Sequence, residues 1–138
     1  MDFPSEALKN ALKGDTISQF ILYAYYSDKN STKLALFFEN MFQKTNNSDA
    51  MVIIGNCYFS GYFIEKDYKK AFKWYTKSAK LGNFHGQYNL ADCYYNAQGV
   101  DYDYTKAFEL YTKSAEQGSL YAQDKLQILR NPKKYKKQ

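Results

Sequence analysis

The chain has 138 residues, the size of one domain, and 45% of them are hydrophobic, enough for a core. With 2 prolines and 7 glycines against 15 tyrosines and 10 phenylalanines, long helices fit better than a turn-rich β-sandwich. The formal charge of +5 comes from 19 Lys and Arg against 14 Asp and Glu, and Arg130, Lys133, Lys134, Lys136 and Lys137 account for the whole excess, which assigns the basic character to the C-terminal tail and leaves the body balanced.

In chain order, a short capping helix is expected at about 5–13, then a degenerate repeat over 14–49. Two complete repeats follow at 50–85 and 86–121 and align without a gap at a spacing of 36 residues. Cys57-Tyr58 falls on Cys93-Tyr94, and Asp67-Tyr68 on Asp103-Tyr104. Lys70-Ala71-Phe72 falls on Lys106-Ala107-Phe108, Tyr75 to Ala79 on Tyr111 to Ala115, and Gly82 on Gly118. Each repeat reads as two helices. In the second, Ala71, Tyr75, Ser78 and Ala79 recur at helical steps, with Lys70, Lys73, Lys77 and Lys80 on the other side. Asp67 and Asp103 suit the N-terminal end of that helix, and Gly82 and Gly118 its C-terminal end. In the degenerate copy Gly14, Gln19, Leu22 and Tyr26 keep register only if four residues are missing between Tyr26 and Lys33, in the loop between the helices. A capping helix is expected at 119–130, then a basic tail at 132–138. One helix pair cannot bury its own apolar face, and stacking does so. The expected fold is therefore all-α, a solenoid of stacked antiparallel helix pairs over 1–131, with about eight helices.

The pattern resembles the Sel1-like repeat, a relative of the tetratricopeptide repeat. It stands as Gly55, Tyr58, Gly61, Ile64, Asp67, Lys70, Ala71, Trp74, Tyr75, Ala79 and Gly82, and then as Ala91, Tyr94, Gly99, Val100, Asp103, Lys106, Ala107, Tyr111, Ala115 and Gly118. Phe63, Ala97 and Ala91 stand where the family has glycine. The resemblance implies a right-handed superhelix and a non-catalytic adaptor or scaffold that holds a protein or peptide on its concave surface. Some members are similar to regulators of membrane-protein degradation, chitin synthesis or signalling.

Tetratricopeptide-like geometry assigns that surface to the first helix of each repeat. The positions are Val52, Asn56, Phe59 and Ser60, then His85, Tyr88, Asp92, Tyr95 and Asn96, then Tyr121 and Asp124. Rigid rings with polar tips suit peptide capture; the competing reading packs these rings against the neighbouring pair. Cys57 and Cys93 occupy equivalent places on helices about 8–10 Å apart, too far for a disulfide, and are expected as buried, reduced thiols. No catalytic residue, cofactor or metal site is expected, since His85 stands alone and no phosphate loop or nucleophile motif is visible. The runner-up reading gives the tail lysines a nucleic acid or an anionic membrane as partner, although a balanced body makes nucleic acid the less expected of the two. Weak self-association through a solenoid end is a further expectation, because three repeats lie near the minimum for stability. The N-terminal residues lack a signal-peptide pattern, and no apolar run reaches the ~18 residues of a membrane span. A cytoplasmic protein is expected, with nuclear import through the tail as the alternative and secretion excluded.

Overall fold

A computed structural model describes residues 5–135, and every regular element among them is helical. The chain runs α1 (Ser5–Leu12), α2 (Thr16–Asp28), α3 (Thr32–Phe42), α4 (Ser48–Ser60), α5 (Tyr68–Lys80), α6 (Phe84–Asn96), α7 (Tyr104–Glu116), α8 (Leu120–Arg130) and α9 (Pro132–Tyr135). The eight expected helices are present, and α9 adds a single turn. Pro132 opens it, a position where the missing N–H is not needed.

Local chemistry sets the starts. Asp67 accepts from the Lys70 backbone N–H at 3.1 Å, and Asp103 from that of Lys106 at 3.0 Å. Asn47, Asn83 and Ser119 do the same for α4, α6 and α8. Each such cap typically stabilises by about 1 kcal/mol over alanine. Ser31, before α3, makes no side-chain cap bond. The loop between α2 and α3 spans only residues 29–31, where the later pairs use 61–67 and 97–103.

Each long helix packs on its partner, α2 on α3, α4 on α5 and α6 on α7, and α5 then packs on α6. Gly86 permits that last approach. A Cβ there would lie 2.7 Å from the Ser78 Cβ and 2.9 Å from the Ala79 backbone nitrogen. One core runs through successive pairs, from Phe20 and Phe42 through Ile54, Tyr58 and Trp74 to Leu90 and Cys93. A second gathers Ala91, Ala107, Tyr111 and Leu126. Successive first helices touch, α2 with α4 and α4 with α6, whereas the second helices α3, α5 and α7 make no comparable contact among the described residues. The stack therefore curves with its first helices on the inner side.

Candidate partner-binding face

The inner side is built by α4, α6 and α8, and second-helix tyrosines hold it from behind. Tyr75 of α5 donates its hydroxyl to Asn56 Oδ1 of α4 at 2.6 Å. The equivalent Tyr111 of α7, fully buried, donates to Asp92 Oδ1 of α6. Beneath these clasps, Ser78 donates to the Ser48 carbonyl at 2.9 Å and Ser114 to the Phe84 carbonyl at 2.7 Å. The second helices α5 and α7 are thus bonded to the first helices of their own pairs, at positions 36 residues apart.

The expected face residues divide into three groups. Asn56, Ser60, His85, Asn96, Tyr121 and Asp124 are exposed, Tyr121 by 71%. Phe59, Tyr88, Asp92 and Tyr95 are half-buried. The Phe59 ring lies 4.9 Å from that of Tyr68 and 6.4 Å from that of Tyr75. Tyr88 sits 5.7 Å from Tyr111 and 6.0 Å from Tyr121, and Tyr95 sits 6.5 Å from both Tyr104 and Tyr111. These rings are partly packing and partly surface. Val52, by contrast, is only 8% exposed and belongs to the interior.

Its neighbour Ile53 takes the exposed place, at 45%. Reading on by 36 residues, Ile53 is followed by Asn89 and Lys125. Asn89 Nδ2 lies 3.5 Å from Asn56 Oδ1, and Lys125 Nζ lies 4.4 Å from the Tyr95 ring centre. Sequence reasoning missed this register, although the period itself carried the signal: two of its three positions are polar.

Electrostatics single out α6. Burial raises the Asp92 carboxyl above the usual carboxylate range, opposed by the bond from Tyr111 and by Lys125. Burial also raises the Tyr88 hydroxyl, with Asp92, Tyr121 and Asp124 adding to it. Both cysteines are buried and free. Burial, with Asp92 second, pushes the Cys93 thiol up to about 12, so it stays protonated and is a poor nucleophile. The lone His85 is exposed beside Phe84, their ring centres 4.1 Å apart.

One expectation about charge is corrected. The body balances in number, but Lys69, Lys70, Lys73, Lys77 and Lys80 are all exposed on α5, which contains no acid. The tail is therefore not the sole basic feature; counting over the whole chain hid a charged face. Lys133 and Lys134 lie on α9, and Lys136 and Lys137 fall outside the described residues.

A family model described as Sel1 repeat matches residues 48–83 and 85–119, together more than half of the chain. The chain belongs to the Sel1 repeat family. Among solved structures, a Sel1 repeat protein from Oxalobacter formigenes is 30% identical, with 89% of this chain and 96% of that one covered and a TM-score of 0.65. A protective antigen of uropathogenic Escherichia coli, described as displaying an SLR fold, is 25% identical with a TM-score of 0.70; the match covers 91% of this chain but 28% of the antigen. Cysteine-rich protein B of Helicobacter pylori, 20% identical, covers 85% of this chain and 92% of its own at a TM-score of 0.58, and is a likeness of fold. No curated protein sequence matches. Sel1 repeat proteins commonly act as protein-interaction scaffolds and are typically non-catalytic. No helix among the described residues of this Sel1 repeat chain is long and apolar enough to cross a membrane.

Proposed function

We propose that the chain is a non-catalytic cytoplasmic adaptor that holds a protein or peptide partner along the inner face of α4, α6 and α8. The observation that carries this reading is the pair of clasps, Tyr75 on Asn56 and Tyr111 on Asp92. They fix polar groups at a repeating position on the inner side, beside the rings of Tyr88, Tyr95 and Tyr121. Contacts presented in a fixed array lose little entropy on binding, and several weak ones add up along an extended partner. The centre at Tyr88, Asp92 and Tyr95 would act as the anchor, with Asn56, Phe59, Tyr121 and Asp124 around it. Val52 would act by packing α4 and placing Asn56. The two buried thiols suit a reducing compartment.

The test selects peptides from a random library on the intact chain, then measures their affinity by fluorescence anisotropy. Tyr121→Ala/Asp124→Ala removes exposed groups and should leave the melting temperature unchanged while weakening binding about tenfold or more. Tyr88→Ala/Tyr95→Ala should weaken it further, at some cost in stability. Selected peptides that bind both variants as tightly as the intact chain would place the partner elsewhere and sink the proposal.

A further inference from the structure

The outer side of the stack carries a stripe whose chemistry changes from pair to pair. On α5, Lys69, Lys70, Lys73, Lys77 and Lys80 fall within a sector of about 100° around the helix axis. The same positions 36 residues earlier are Lys33, Leu34, Phe37 and Met41 on α3 and Lys44 just past its end. On α7 they are Thr105, Lys106, Glu109, Lys113 and Glu116. The last pair thus alternates sign, the middle one is wholly cationic, and the first is apolar at its centre. Leu34 is 44% exposed and Phe37 50%; Leu36, 51% exposed, lies on the far side of Phe37, about 160° around the helix from Leu34.

The outer sides of α3 and α5 adjoin. Gln43 at the end of α3 accepts from Lys77 Nζ at 3.3 Å, and Glu39 and Gln43 share a groove with Lys70, Lys73 and Lys77. Lys70 and Lys77 lean over the rings of Tyr58 and Trp74. Lys69, Lys73 and Lys80 have no ion-pair or ring partner among the described residues.

We propose that this outer face of α3 and α5 docks on an anionic lipid bilayer. Leu34 and Phe37 enter the boundary between headgroups and acyl chains, and the α5 lysines meet the acidic headgroups. Exposed apolar side chains next to unpaired lysines are the combination that interfacial attachment uses. Other occupants explain half of the surface. A nucleic acid would use the lysines but leave Leu34 and Phe37 against a polyanion. A second copy packed face to face would cover the apolar residues but bring no acid from its own α5 to the lysines. Docking on the outer side leaves the inner face free, so the two proposals stand independently.

The test uses the full chain and sedimentation with vesicles, of phosphatidylcholine alone and with about a third phosphatidylserine. Binding is expected only to the anionic vesicles and should fall with salt. Lys73→Glu/Lys80→Glu should weaken it more than tenfold, since each lysine near such a surface is worth about fivefold. The deciding variant is Leu34→Lys/Phe37→Lys. It gives α3 the residues that α5 carries at 70 and 73, so folding should be kept, as circular dichroism checks. It adds positive charge, yet binding should weaken about fivefold or more, because the apolar insertion is lost. Three results would overturn the proposal: no binding to anionic vesicles, equal or tighter binding by Leu34→Lys/Phe37→Lys, or loss of binding only with Lys133→Glu/Lys134→Glu. A dimer in light scattering that Leu34→Lys/Phe37→Lys dissociates, without vesicle binding, would assign the face to a second copy. An oligonucleotide bound more tightly by that variant would assign it to nucleic acid.

Discussion

In the pair α4–α5, Tyr75 donates to Asn56 and Ser78 to the Ser48 carbonyl; in α6–α7, Tyr111 donates to Asp92 and Ser114 to the Phe84 carbonyl. The same four positions in α2–α3 are Glu39, Ala24, Phe42 and Thr16, and that pair is held differently. Phe42 is fully buried, edge-on to Phe20 at 5.4 Å and 5.2 Å from Tyr23, and Phe38 stacks on Tyr26 at 5.8 Å. Two pairs are fastened by directional bonds and one by ring packing, yet all three make the same hairpin. Packing tolerates volume-conserving exchange, while a bond between named atoms does not. This accounts for a family match that begins at residue 48 and leaves the first pair out.

The sharpest way to break the comparison is to remove the clasp from each kind of pair. Tyr111→Ala deletes a fully buried ring and its bond to Asp92, and should cost about 3–5 kcal/mol in urea unfolding. Glu39→Ala, at the matching place in α3, should change stability by no more than about 0.5 kcal/mol. Equal costs would mean that Glu39 fastens the first pair as Tyr111 fastens the third.

Much of this is legible in the sequence alone. The caps at Asp67 and Asp103 and the shortened loop before α3 follow from spacing and backbone chemistry. The family resemblance puts Phe63 and Ala97 in glycine positions, and both adopt positive φ, 67° and 53°. The face was harder. Val52 and Ile53 differ by one step of about 100° around α4, and two adjacent aliphatic residues do not reveal which points inward. The lysine stripe was hidden for another reason: net charge sums over the chain, whereas a surface is defined by angle.

A smaller effect separates the two matching pairs from each other. Gly61 ends α4 at φ 71°, and Ala97 ends α6 at φ 53°, both left-handed. A side chain in that region is strained, and glycine is not. Ala97→Gly should raise stability by up to about 1 kcal/mol, and Gly61→Ala should lower it by a similar amount, both read from melting in calorimetry. If Ala97→Gly is neutral or destabilising, the third pair has adapted to its alanine and the two loops are not equivalent.

The last contrast is between Asn56 and Asp92, which accept the same tyrosine bond with and without a charge. Burial is the largest influence on Asp92 and raises its pKa above the ordinary 3.8, while Tyr111 and Lys125 oppose the rise. A carboxyl whose folded pKa is raised binds its proton more tightly in the native state. Its contribution to stability is then full below the unfolded pKa and lost as pH rises through the folded one. Asp92→Asn keeps an oxygen to accept from Tyr111, as Asn56 does for Tyr75, and has no charge to bury. The difference in unfolding free energy between Asp92→Asn and the parent should therefore grow in favour of the variant as pH rises from about 3, and level off once Asp92 has ionised in the folded chain. Urea titrations between about pH 3 and 7 would show it. A difference that moved the other way would mean that attraction to Lys125 outweighs burial, and that the charge at 92 strengthens a clasp that is neutral at 56.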